Sequence, residues 1–470
     1  MNNKKRHFIF TGTGSNAGKT FIAGFIGKIL KENFGMNVCP FKAQNMSNYA
    51  SVCETNKEIS IAQASQAELM NVIPLADMNP VLLKPLGEGC SQLIVRGVPQ
   101  KITSVRDYYK EIDTLKSEVD EAFNLLQKDY ETVIIEGAGS CLELNLKDRD
   151  LANQHMMQKE NVYSVLVANI ENGGVFPSIY GTYNLMSKEE RKRFKGVIIN
   201  NFRGDISLFD EGKEIIEKWR VPVLGVIPNI NYGLDAEDSL SDIQSYEKKD
   251  PAMVNIGVIK YPRTSNMNDV EPLVHDPAVQ VTFITQRTNL DIFDKIVLPG
   301  SRAVLDDLRW LKRTGLFEEL NNTSAEIYGI CGGYQMMHEE INDPLGTESS
   351  SGQSDSETGL GLIPGKIEFM PDKILKRQDY TLHEDIQVHG FEMHTGISDN
   401  YPLFYNSDKV KGSMIHEIFN NDNFRQIWLS NNTSSSVKEW DFKAWKKQVQ
   451  DKTALIIKEK IDWNRLLNTD

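Results

Sequence analysis

Two short segments, far apart in the chain, hold residue types from which a reaction can be built. The first, Gly12-Thr13-Gly14-Ser15-Asn16-Ala17-Gly18-Lys19-Thr20, follows the apolar run HFIF and precedes FIAGFIGKIL. Glycines let backbone N–H groups close around phosphate oxygens, Lys19 adds a full positive charge, and Thr20 offers a hydroxyl to magnesium. Thr13 stands where the strict pattern has glycine, so this is a variant phosphate loop, and its strand-to-helix setting argues against a chance Gly-Lys-Thr. The second segment, IYGICGGYQMM, reads as a strand, a tight turn and a helix with Cys331 at the turn. Gly329, Gly332 and Gly333 permit a strained backbone there, and the start of a helix favours a thiolate. A lone cysteine is ordinarily a packing residue; the flanking glycines favour a nucleophile.

A thiolate that attacks an acyl group needs a base and donors for the oxyanion. Gly300 and Ser301 in IVLPGSR, with the N–H of Gly332, are candidate donors. Candidate bases are His389 and His394 in VHGFEMHTG and His416 in GSMIHEIF, and spacing alone does not choose among them. Near the phosphate loop, Lys42 ends the run VCPFKAQ and is placed to reach the same phosphates. Glu136 ends the apolar run TVIIE, where an ionised carboxylate is costly unless paired or bound to a metal. Asp148 and Asp150 lie in the charged stretch LNLKDRDLAN, suited to salt bridging or to contact with metal or a reacting carboxylate.

The elements that must position these groups alternate. In the first half HFIFTGTG, VCPFKAQ, TVIIEGAG, VYSVLVAN, GVIINNF and PVLGVIP recur with room for helices between them, the pattern of a parallel sheet covered on both faces. Polar residues at the ends of several runs put the binding edge at the strands' carboxyl ends. Between Asn229 and Ala252 the chain turns polar and acidic before apolar runs resume at VNIGVIKYP, VQVTFI, KIVLPGS and IYGICGG. This predicts a front domain over 1–235, a linker over 236–252 and a second α/β domain over 253–470. TESSSGQSDSETG is expected as a surface loop, and Ser436–Leu467 as one or two terminal helices.

A chain of 470 residues exceeds one ordinary core, which agrees with two domains. A net charge of −13 argues against a dedicated nucleic-acid binder. The apolar stretch after Met1–Arg6 is too short for a signal peptide, and no later run suits a membrane span. The five cysteines form no CxxC pair, so a reducing, cytoplasmic setting is expected.

Taken together, GTGSNAGKT, PFKAQNMSN, EISIAQASQAE, DMNPVLLKP, EGAGSCLELNLKDRDLAN, NGGVFPSIYGT, INNFRGD, LPGSRAVLDDLRWL, GICGGYQMM and IHEIFNNDNFR resemble the cobyric acid synthase family over nearly the whole chain. QNMSN and MNPVLLKP after a phosphate loop are more specific than the loop, and separate this family from a,c-diamide synthase and dethiobiotin synthetase. The resemblance implies a P-loop domain similar to dethiobiotin synthetase, followed by a class I glutamine amidotransferase-like, flavodoxin-like α/β domain. It implies amidation of the b, d, e and g carboxylates of adenosylcobyrinic acid a,c-diamide, with ATP, Mg2+ and glutamine. By that analogy Gly12, Thr13, Gly14, Asn16, Gly18, Lys19, Thr20 and Lys42 bind ATP. Thr20, Glu58 and Glu136 hold magnesium, and Gln44, Asn45 and Asn145 contact substrate. Asp148 and Asp150 lie where the activated carboxylate reacts, Cys331 is the nucleophile and His416 its base.

The chain departs from the family at Asn169 and Asn172, where Asp and Arg are usual, at Asn201 for Lys, and at Glu417 for Gly. Glu417 beside His416 is a candidate to raise the histidine pKa. Two rivals remain: an amidase of another polycarboxylate, and a P-loop switch ATPase, which has no need of the cysteine elbow.

Overall fold

The computed structural model describes residues 5–87, 89–230, 253–348, 353–382, 385–431 and 439–468. The expected linker, 236–252, lies outside the described residues.

The front sheet has six parallel strands in the order Val223–Pro228, Phe194–Phe202, Val162–Asn169, His7–Gly12, Thr132–Glu136, Val38–Phe41. Its central strands are buried on both faces, which is why they read as unbroken apolar runs rather than alternating ones. Helix Ile112–Asp129 covers one face, burying Leu115, Val119, Ala122, Phe123 and Leu126 at helical spacing. Helix Lys19–Phe34 covers the other with Ile22, Phe25, Ile26 and Ile29. Beside this sheet lie a four-stranded sheet, Gln44–Met46, Val81–Gly87, Cys90–Val95 and Val98–Ser104, and a small hairpin, Ala50–Val52 with Glu58–Ser60.

The rear sheet orders Val279–Ile284, Val254–Ile259, Lys295–Leu298, Glu326–Ile330, Val410–Ser413 and Phe404–Asn406, parallel except for the last strand. The expected fold class is borne out. A further mixed sheet joins Asp355–Thr358, His338–Asp343, Ile363–Thr381, Gln387–Ser398 and Ile415–His416. The Ser-rich stretch is therefore not all loop. Residues 349–352 lie outside the described residues, but Asp355–Thr358 pairs with His338–Asp343, and Arg309 and Lys312 hold its carboxylates.

The terminal helices, Phe442–Lys460 and Trp463–Leu467, form as expected; the first starts against the rear domain, where Trp445 stacks on His275 and Phe442 N–H donates to Asp422 at 3.2 Å, and runs onto the front domain. Ile457, Ile461 and Leu466 join the core of Ile22, Phe25 and Leu224, and Asp462 N–H donates to Leu224 O at 2.7 Å. Their apolar face was legible; the surface it covers was not. Among the described residues no helix is long and apolar enough to cross a membrane.

The two halves meet along the small hairpin. Ala50, Val52, Leu82 and Ile94 pack with Phe391 and Met393. At that seam the Glu58 carboxylate is wholly buried, 2.5 Å from Lys84 Nζ and 2.8 Å from Lys373 Nζ. Burial alone would raise its pKa, but Lys373 and Lys84 outweigh it and hold the carboxyl down at about 2. Burial also pulls Lys84 down to about 7 against Glu58's attraction.

Candidate active sites

The phosphate loop leaves the central strand at Gly12 and turns into its helix through two left-handed residues, Asn16 at φ 58° and Gly18 at φ 86°. A Cβ on Gly18 would stand 2.1 Å from Asn200 Nδ2, so only glycine fits. Asn200 donates to Ala17 O at 3.0 Å and Asn169 to Asn16 O at 3.1 Å, so the two neighbouring strand ends brace the loop from outside. Lys19 Nζ donates to Gly14 O and Gly139 O, each at 3.0 Å, arching over the place a phosphate would take.

Glu136 is the hub. Its Oε1 accepts from Thr20 Oγ1 at 2.8 Å and from Lys42 Nζ at 2.7 Å, and its Oε2 accepts from Gln63 at 3.2 Å and Gln66 at 2.9 Å. The structure thus brings Lys19, Thr20, Lys42 and Glu136 together. Gln63 and Gln66 were missed, although their three-residue spacing in a helix puts both amides on one face.

Glu58, expected beside the metal, is instead consumed by Lys84 and Lys373. Gln44 accepts from the Tyr108 hydroxyl at 2.6 Å, and Asn45 donates to Gln63 Oε1 at 3.2 Å, one step from Glu136. Asn145 and Asp148 are exposed in the turn Leu144–Arg149. Asp150 is half-buried and accepts from Asn153 N at 2.8 Å and Nδ2 at 3.0 Å, while burial raises its pKa. Asn153 in turn accepts from Ala138 N–H, just past Glu136.

At the rear, Cys331 adopts φ 47° and ψ −107°, a strained elbow. A Cβ on Gly333 would stand 2.0 Å from Leu298 O, and one on Gly332 2.6 Å from Ser301 N, so the helix start packs directly on the Gly300–Ser301 turn. Ser301 Oγ donates to Asp307 at 2.6 Å, fixing that turn.

His416 lies on the adjoining short strand, its Nδ1–H donating to Asp269 Oδ2 at 2.7 Å, both residues buried. Burial would lower the His416 pKa; the Asp269 carboxylate and the neighbouring Cys331 side chain push it up to about 10. His416 therefore rests as an imidazolium beside Cys331. Asp269 carried no sequence signal, being one acid in the polar MNDVE run. His389 is half-exposed beside Asp379, and His394 is tied to Gly396 O and Glu392. Glu417 does not reach His416's ring nitrogen partner role, which Asp269 fills, and pairs with Arg377.

Asp269→Asn is expected to keep the geometry and remove the charge. Turnover at the Cys331 site should fall roughly 10³–10⁴-fold. Since the imidazolium persists from neutral pH to about 10 and is lost above it, the alkaline limb of the pH profile should move to lower pH in the variant. An unshifted limb would show that Asp269 does not hold His416 charged.

Residues 8–234 match the family model "CobQ/CobB/MinD/ParA nucleotide binding domain", and residues 255–424 match "CobB/CobQ-like glutamine amidotransferase domain". The chain is 44% identical over 425 residues to cobyric acid synthase of Acinetobacter baylyi, covering 90% of each chain. It is 37% identical to that of Prochlorococcus marinus, covering 91% of this chain and 89% of the relative, and 38% identical to that of Anoxybacillus flavithermus, covering 90% and 88%.

Proposed function

Since this chain belongs to the cobyric acid synthase family and is a glutamine-dependent ligase, we propose that its two sites divide the amidation of the b, d, e and g carboxylates of adenosylcobyrinic acid a,c-diamide. The observation that carries this reading is the presence in one chain of the Thr20–Glu136–Lys42 cluster at a phosphate loop and the Cys331–His416–Asp269 arrangement at a strained elbow.

At the rear, Cys331 Sγ attacks the amide carbon of glutamine. His416 gives its proton to the leaving nitrogen, which departs as ammonia and leaves a thioester. His416 then takes a proton from water as it attacks, the C–S bond breaks, and glutamate leaves with the Cys331–His416 pair returned to its starting proton count. The N–H groups of Gly300, Ser301 and Gly332 are suited to the oxyanion.

At the front, a corrinoid carboxylate oxygen attacks the γ-phosphorus of ATP, releasing ADP and forming an acyl phosphate. Ammonia attacks the acyl carbon and inorganic phosphate leaves. Lys19, Lys42 and the loop N–H groups hold the phosphates. A hydroxyl and a carboxylate oxygen are the hard donors magnesium takes, and with phosphates completing its shell no third protein acid is required, so Thr20 and Glu136 fit as its holders and Glu58 does not. When bound, magnesium neutralises charge developing on the transferred phosphoryl group. Asp150 and Asn153, at the turn beyond Glu136, are assigned to orienting the acceptor carboxylate, and Asp148, Asn145, Gln44 and Asn45 to contact with the corrinoid.

The test supplies glutamine labelled with ¹⁵N at the amide, ATP and the a,c-diamide. Label should enter the four amides, with one ADP formed per amide. Amidation without ATP, or failure to take up the corrinoid, would overturn this reading.

A further inference from the structure

The hairpin Ala50–Val52 with Glu58–Ser60 touches both sites. Toward the phosphate loop, Ser60 hydrogen-bonds Gln63, whose amide reaches Glu136 Oε2 at 3.2 Å. Toward the cysteine site it has two grips. On one side the Asn266 amide accepts from Ala50 N–H at 3.2 Å and donates to Ala50 O at 2.9 Å, and Asn266 opens the turn that carries Asp269. On the other side Arg377 donates from Nε to Val52 O at 2.5 Å and from a terminal nitrogen to Ser51 Oγ at 2.9 Å, while its backbone N–H donates to Asn56 Oδ1 at 3.0 Å.

The same guanidinium holds both oxygens of Glu417, at 2.8 and 3.0 Å. Glu417 follows His416, and its N–H donates to Asp269 Oδ1 at 2.8 Å, so one Asp269 carboxylate bonds both His416 and its neighbour. The guanidinium also lies 4.9 Å over the Phe391 ring, which stacks on the His416 imidazole at 4.9 Å. Glu417 sits at φ 62°, a left-handed conformation that a side chain disfavours. The bidentate pair, at 12% and 17% side-chain exposure, is largely shielded from water and gives that conformation its support.

We propose that Arg377, acting through Glu417, is a positioning residue for His416 that makes glutamine hydrolysis depend on the docked hairpin, and so on the phosphate site the hairpin also touches. This rests on the assignment of Cys331 and His416 to hydrolysis. Nucleotide and corrinoid that favour the docked hairpin thereby favour the aligned His416, and only to the extent that they bind that state better.

The test measures the full chain in two reactions: glutamine hydrolysis with and without ATP plus corrinoid, and amidation from ammonium. Arg377→Ala should lower stimulated glutaminase kcat about tenfold, with KM for glutamine within about twofold, and erase most of the stimulation. Ammonium-dependent amidation should stay within about twofold of the parent. Glu417→Ala, which keeps a side chain at the left-handed position but removes the carboxylate that Arg377 grips, should behave alike, and the double variant should be no worse than either single one. Arg377→Lys should fail to rescue, because an ammonium cannot span both Glu417 oxygens and the hairpin together. Unchanged stimulation in Arg377→Ala, or an equal fall in both reactions, would overturn the proposal. Glutaminase surviving in Cys331→Ala would instead overturn the assignment on which it rests.

Discussion

Cys331→Ala is expected to abolish glutamine-dependent amidation while ATP-dependent amidation from ammonium continues. The thiolate is the group that bonds to the substrate carbon, and nothing near it can replace that bond. His394 and His389 are held by other partners, and His416 without a thiolate beside it is left to assist water alone. Loss of a nucleophile in such a relay costs about 10⁴–10⁶ in kcat. The front site is untouched, since Lys19, Thr20, Lys42 and Glu136 draw no support from Cys331. Comparing the two nitrogen sources in the variant decides the matter. Equal loss from both would mean that Cys331 serves the fold, and the elbow geometry makes that distinguishable: Cys331→Gly suits φ 47° better than alanine, so a folding defect should be milder in glycine whereas a lost nucleophile is lost in both. Glutamine hydrolysis remaining in either variant would overturn the nucleophile assignment.

What could be seen in the sequence was whatever chemistry is written locally. The phosphate loop, Lys42 and Glu136 each sit at the carboxyl end of an apolar run, so the parallel sheet that the runs imply already converges them. Cys331 announced itself through glycines that its close approach to Leu298 and Ser301 requires. Asp269, Gln63, Gln66 and Arg377 gave no such signal, because their roles arise only when separate segments meet: Asp269 reaches a histidine 147 positions away, and Arg377 reaches a hairpin in the other half of the chain. The terminal helix shows the same division. Its apolar stripe is a local property, but that it bridges from His275 in the rear domain to the front domain's Ile22–Phe25 face is decided by packing. Glu58 is the converse case, where a resemblance suggests a metal ligand and the carboxylate pairs with buried Lys84 and partly buried Lys373.

That difference between the two acids leads to the other large effect expected. Glu136→Gln keeps the shape but gives up the charge, leaving Lys42 without its carboxylate and Thr20 without the oxygen with which it would share magnesium. Amidation from glutamine and from ammonium should fall together, by roughly 10²–10³-fold, and the concentration of Mg2+ needed for half-maximal activity should rise. Glu58→Gln should act otherwise. It leaves Lys84 and Lys373 facing each other in a buried seam, and breaking such a pair costs about 3–5 kcal/mol, so the melting temperature should drop while the Mg2+ requirement of the folded enzyme stays where it was. Titrating Mg2+ against ammonium-dependent activity, beside a thermal melt, reads both variants on the same axes. If Glu58→Gln moves the Mg2+ titration and leaves the melt alone, then Glu58 is a ligand and its lysines are displaced on nucleotide binding; if Glu136→Gln leaves the titration unmoved, the carboxylate serves only to neutralise Lys42.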